Sequence, residues 1–206
     1  MIVKEYLTHN GNLIQRGANK FIYRNYDKPT PVFPSVQIGN QIWMSENLQI
    51  NDNGVGIITV QSVVANGYEF GPQTYYTSEA AIRVASNIEG WHLPTPEEFT
   101  TLRSYIESQG YNDTKPFRIT YGWSQNQGTN ETGLSILPIG AIRVEYPSVG
   151  TPVALGDECS LRTTYVNGSN STVNFMYGNY IGGFANFTYT WPAKYYIAVR
   201  LIKDSN

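Results

Sequence analysis

Apolar residues recur behind a polar start at Thr95. Phe99, Leu102 and Ile106 follow at three- and four-residue spacing, the period that puts one face of a helix against a core. Thr95 has the side chain of an N-cap, Pro96 suits the first helical position, and Glu98 stands three residues after Thr95, the spacing of a reciprocal capping box. A helix is therefore predicted over 95–108, ending near Gly110, with the strand-like Trp91-His92-Leu93 running into it. A second short helix is predicted over 78–85, capped by Thr77 or Ser78. Two strands are predicted on either side of Gly39-Asn40, a tight-turn pair. Beyond Gly110 the pattern gives strands and loops, with Val199-Arg200-Leu201-Ile202 as a last strand returning beside the first. Trp43 and Trp91, each with apolar neighbours, are expected in the core.

The first 34 residues have a pattern of their own. Residues 2–7, 12–15 and 20–24 read as three short strands, with a turn at Asn10-Gly11 and a break at Gly17. Pro29, Pro31 and Pro34 keep the following stretch out of a sheet, so it reads as an extended linker. The division expected is an arm with a proline-rich linker over 1–34, and a domain over 35–206.

Composition narrows the classes. The net charge is −2 and only 15% of 206 residues are charged, which argues against a protein that tracks nucleic-acid phosphates. Nineteen glycines, eleven prolines and 14% aromatics suit a strand- and loop-rich fold. Sixteen tyrosines suit both β structure and wet recognition surfaces. Cys159 is the single cysteine, so no disulfide forms within the chain. No run of ~18 apolar residues occurs, and the first ten residues lack a basic region followed by an apolar one. Neither membrane insertion nor a secretory signal is expected.

Four blocks carry a resemblance. Residues 38–48 (Ile-Gly-Asn-Gln-Ile-Trp-Met-Ser-Glu-Asn-Leu), 90–102 (Gly-Trp-His-Leu-Pro-Thr-Pro-Glu-Glu-Phe-Thr-Thr-Leu), 128–140 (Gly-Thr-Asn-Glu-Thr-Gly-Leu-Ser-Ile-Leu-Pro-Ile-Gly) and 199–204 (Val-Arg-Leu-Ile-Lys-Asp) resemble, in order, the motifs of the Fibrobacter succinogenes major paralogous domain. That family is similar to the C-type lectin-like fold and to the formylglycine-generating enzyme fold. The resemblance implies an α+β, C-type lectin-like domain: an antiparallel sheet, two short helices and long loops, here with an extended N-terminal arm. The sequence departs from the family where Glu158-Cys159-Ser160-Leu161-Arg162-Thr163-Thr164-Tyr165 replaces its Tyr-Trp-Ser-Ser-Thr run, and where Ser86-Asn87-Ile88-Glu89 replaces cysteines before the second block.

Formylglycine-generating enzymes use two redox-active cysteines, and Cys159 stands alone here. The calcium motifs of sugar-binding lectins are missing, His9, His92 and Cys159 are far apart, and Glu97 and Glu98 sit where they favour a helix dipole. No catalytic residue, metal or cofactor is expected. Surface recognition remains. In lectin-like domains the long loops of the second half form the ligand face, and residues 165–191 are rich in Tyr, Asn and Gly with almost no charge. The candidate ligand-binding residues are Tyr165, Asn174, Tyr177, Asn179, Tyr180, Asn186 and Tyr189, whose rings and amides suit neutral polar groups. Phe175, Phe187 and Trp191 fit a core better, while Tyr177, Asn179, Tyr180 and Asn186 fit either role.

The function expected is non-enzymatic adhesion. An arm, a lectin-like head and the lack of an export signal or disulfide fit a bacteriophage virion protein. Its arm would attach to other virion proteins, its head would contact a host surface glycan or protein, and it would act as a homo-oligomer. A purely structural capsid or tail decoration protein and a bacterial surface adhesin, placed at the cell surface instead, are the alternatives.

Overall fold

The computed structural model describes the backbone of residues 6–9, 12–17, 20–23, 32–144, 150–166, 169–176 and 195–204, and the side chains of 32–144, 150–164 and 195–204. The chain divides into two compact units, Met1–Val32 and Phe33–Asn206. In the first, strands β1 (Tyr6–His9), β2 (Asn12–Gly17) and β3 (Lys20–Tyr23) form an antiparallel meander in sequence order. The expected turn at Asn10-Gly11 lies outside the described residues.

The second unit is mixed α/β with mostly antiparallel pairing and two helices. It opens with β4 (Ser35–Ile38) and β5 (Gln41–Met44), joined at Gly39-Asn40 as the turn signal predicts. Next come β6 (Ile57–Val60), the short hairpin β7 (Val64–Ala65) and β8 (Tyr68–Glu69), then β9 (Gln73–Tyr76), which pairs with β6. Helix α1 (Ser78–Ala85) is capped by the Thr77 side chain. After β10 (Trp91–His92), helix α2 (Pro96–Ser108) carries the full capping box: Thr95 Oγ1 accepts from the Glu98 backbone, and Glu98 Oε2 accepts from the Thr95 backbone. A 3-10 turn (Lys115–Phe117), a hairpin of β11 (Glu158–Val166) and β12 (Ser169–Met176), and β13 (Ile202–Lys203) complete the unit.

The last strand corrects one expectation. The sheet order is β10-β13-β5-β4, so β13 lies between β5 and β10, not beside β4. Ile202 is thereby placed against both Trp43 and His92. A central strand pairs on both edges, and the apolar Val199-Arg200-Leu201-Ile202 run reads as buried on both faces.

Strand alternation divides the core in two. Trp43 and Tyr75 point into one cluster with Phe99, Leu102 and Ile106 of α2. Their neighbours Met44 and Tyr76 point into the other, with Ala80, Ala81, Val84 and Ala85 of α1. Successive strand residues face opposite sides, so β5 and β9, which belong to different sheets, each contribute to both clusters. Each fully buried large apolar side chain stabilises by roughly 1.5–3 kcal/mol. Trp43 is fully buried. Trp91 is only half-buried: it lies at the margin of the second cluster, edge-on to Phe33 with ring centroids 5.7 Å apart. The two-residue β10 lies at the edge of its sheet, so the indole is covered on one side only.

Candidate functional site

The four motif blocks meet around two polar side chains. Arg200, in the last block, is buried, and its guanidinium reaches the first and third. Nε donates to Asn47 Oδ1 at 2.7 Å, Nη1 donates to the Met44 and Leu134 carbonyls, and Nη2 donates to the Ser135 carbonyl at 2.9 Å. Burial pulls its pKa down to about 10, yet it keeps its charge at neutral pH. The oxygens around it replace water as solvation, which a buried charge requires. Asn47 in turn donates to Gln73 Oε1 at 3.0 Å.

His92 joins the remaining block. Its Nε2 lies 2.8 Å from Glu98 Oε1 and its Nδ1 lies 2.5 Å from Asp204 Oδ1. Partial burial opposes the imidazolium, but the two carboxylates outweigh it and the pKa is raised. Gln41 bridges further: its Nε2 donates to the Glu98 carbonyl and its Oε1 accepts from Trp43 Nε1. The motif residues that look most like functional groups therefore hold one another.

Cys159 is fully buried, and burial pushes its thiol up to about 12. A thiol in that state is a packing residue, not an available nucleophile. Among the described residues no three His, Cys, Asp or Glu side chains gather as metal ligands.

Of the stretch expected to recognise ligand, residues 165–166 and 169–176 lie in the paired strands β11 and β12, and 177–191 lie outside the described residues. Alternating Thr, Tyr, Val and Phe with a two-residue Asn167-Gly168 connection favours that outcome. The hairpin root is fixed in the core. Cys159 bridges Gly140, Leu161 bridges Ala198, the Arg162 backbone donates to the Ala198 carbonyl at 3.0 Å, and Arg162 Nη2 donates to the Tyr195 carbonyl at 2.7 Å. The register shifts between Arg162 and Tyr165, as at a β-bulge. Of the candidate residues, Tyr165 pairs with Asn170 in β11–β12, and Asn174 pairs with Ser160. Tyr177, Asn179, Tyr180, Asn186 and Tyr189 lie outside the described residues.

A groove lies between α2 and β4. Tyr105 and Tyr111 stand at 39% and 37% exposure over a groove of about 290 Å³, with Gln37, Gln109 and Glu131 on its rim and Ile38 in its floor. Tyr105 had been read only as part of a helix. Its position one turn before Gly110, with Tyr111 just after, was the available signal: a positive-φ glycine turns the chain back across the helix end.

Comparison with known proteins agrees with the four blocks. Residues 36–203 match the model of the Fibrobacter succinogenes major domain. No curated protein and no solved structure gives a significant match.

Proposed function

Because the chain belongs to the Fibrobacter succinogenes major domain family, we propose that its second unit is a C-type lectin-like recognition head and that the protein is non-enzymatic. The observation that carries this is the closure of the motif network. Arg200, Asn47, His92, Glu98 and Asp204 are engaged with one another or with backbone, so the blocks shared with the family form the scaffold. Chemistry particular to this chain then belongs between the blocks, on the core-rooted β11–β12 hairpin and the 165–191 stretch that follows from it.

The ligand is a neutral polar group on a host surface, a glycan or a protein. Tyr and Asn supply flat apolar faces and amide hydrogen bonds, and that stretch carries almost no charge. The setting is a bacteriophage virion. The Met1–Val32 unit attaches to other virion proteins and the heads are displayed in several copies, which turns weak single-site binding into avidity. The test is binding of the parent and the Tyr177→Ala/Tyr180→Ala double variant to host cells and to a glycan array. The double variant should keep its thermal unfolding and lose binding. Undiminished binding places the site elsewhere. If the parent binds neither cells nor glycans, the decoration role becomes the better reading.

A further inference from the structure

From the geometry of the groove between α2 and β4, we infer a second binding site, for a single neutral pyranose ring. Its lining residues fall between Gln37 and Thr132 in the chain, and none belongs to the 165–191 stretch. The groove is preorganised on both walls. On one, the Tyr105 ring lies over Gly39. A methyl group at Gly39 would come within 2.9 Å of Tyr105 Cδ2, so the absent side chain is what lets the ring settle there. On the other, Gly110 at φ +90° turns the chain after α2, and the Tyr111 backbone donates to the Ile106 carbonyl at 3.2 Å. That brings a second half-exposed ring to the same groove.

The polar rim is held as firmly. Glu131 sits between Asn130, whose Oδ1 accepts from the Ser135 backbone at 2.9 Å, and Thr132, whose hydroxyl donates to the Pro116 carbonyl at 2.9 Å. The Glu131 carboxylate beside the Tyr111 phenol pushes its pKa up. Gln37 spends its amide N–H on the Gly39 carbonyl at 3.1 Å, and Gln109 turns its own toward Ser108 Oγ at 3.3 Å. Each glutamine keeps its carbonyl Oε1 and a second amide N–H, and Glu131 adds carboxylate oxygen. The rim thus offers acceptors and amide donors, with tyrosine rings beside them.

Amides and a carboxylate beside aromatic rings suit a ligand that both donates and accepts hydrogen bonds. A pyranose presents several hydroxyl donors around its edge and an apolar C–H face for an aromatic ring. An anion would meet the Glu131 carboxylate. The volume of 290 Å³ lies at the lower limit of small-molecule clefts, ~300–1,000 Å³, which suits one ring and not a buried oligosaccharide. Both tyrosines are nearly two-fifths exposed, so a ring bound here remains open to solvent on one side and can be the end of a longer glycan.

Saturation-transfer NMR on the full chain tests this, with methyl β-D-glucopyranoside, methyl β-D-galactopyranoside and methyl N-acetyl-β-D-glucosaminide as probes and choline as a cationic control. At least one glycoside should bind saturably, with Kd on the order of 1 mM. Tyr105→Leu keeps an apolar side chain over Gly39 but removes the aromatic face. It should weaken binding about tenfold while leaving thermal unfolding close to that of the parent. Glu131→Gln should weaken the glycoside several-fold. Loss of glycoside binding in these groove variants, whose residues 165–191 are unchanged, separates this site from the other. No glycoside binding, binding that survives both groove variants, or binding of choline in preference to every glycoside overturns the inference.

Discussion

Arg200 Nε and Asn47 Oδ1 lie 2.7 Å apart across 153 residues of sequence, and both are buried. The pair joins the last motif block to the first, while the other guanidinium nitrogens hold backbone carbonyls of the first and third. A buried cation stripped of one partner keeps its desolvation cost and loses the compensation. Asn47→Ala should therefore destabilise by about 2–3 kcal/mol, more than an average surface change. Arg200→Met keeps the volume, removes the charge and deprives three carbonyls of a donor. It should cost about 2–4 kcal/mol, from the buried carbonyls left unsatisfied. Urea unfolding measures both. An Asn47→Ala variant as stable as the parent would mean that water can take the amide's place.

His92 gives the stability a pH dependence. Its folded pKa is raised above the ordinary 6.5 by Glu98 and Asp204, against the opposing effect of partial burial. A raised value means that folding takes up protons in this range, so the contribution is complete below pH 6.5 and is lost as the pH rises through the folded value. The side chain is more than a third exposed, so solvent screening keeps the effect small. Thermal unfolding followed from pH 6 to 9 should show a midpoint that falls with pH in the parent. In His92→Gln the fall should be shallower. Parallel profiles would place the pH dependence on other groups.

Local signals were legible and long-range ones were not. The turn at Gly39-Asn40, the Thr77 cap and the Thr95–Glu98 box each lie within a few residues, and all appear where the sequence puts them. The insertion of β13 between β5 and β10 depends on residues more than 100 positions apart. Its last-strand character could be read, but its neighbours could not. Arg200 and His92 are polar letters inside apolar runs, and nothing local says whether such a residue reaches solvent or a buried acceptor. The groove escaped notice for the same reason. Tyr105 and Tyr111 belong to one sequence segment, but Gln37 and Glu131 arrive from either side of it in the fold.

The glycine ending the third motif block has a specific cause. Gly140 has φ +61°, and a Cβ there would lie 1.8 Å from the Val153 carbonyl oxygen. Its backbone N–H also donates to the Glu158 carbonyl at the root of β11. Two strand segments approach too closely for any side chain. Gly140→Ala should cost at least ~3 kcal/mol, from the left-handed backbone and the displaced neighbour together. Gly110 is the control, at φ +90° with open space around it. Gly110→Ala should cost only the conformational part, about 1–2 kcal/mol. Chemical denaturation of the two variants side by side measures the difference, and equal losses would show that the close approach at Gly140 relaxes without penalty.

The join between the two units predicts where the chain can be cut. Phe33 packs edge-on against Trp91, and the Pro34 carbonyl accepts from the Ser45 backbone at 2.9 Å. Both residues fall in the proline-rich stretch read as linker, and both contribute to the second unit. A chain starting at Phe33 should fold with the stability of the head in the full protein. One starting at Ser35 loses an aromatic pair and a hydrogen bond, and should be less stable by roughly 1.5–2.5 kcal/mol. Circular dichroism melts of the two truncations against the full chain make the comparison. If the fragment from Phe33 does not fold, the Met1–Val32 unit is required for the head, and an arm that serves only attachment is excluded. If it folds, its incorporation into particles becomes a clean test of attachment, because loss of assembly could no longer be blamed on loss of structure.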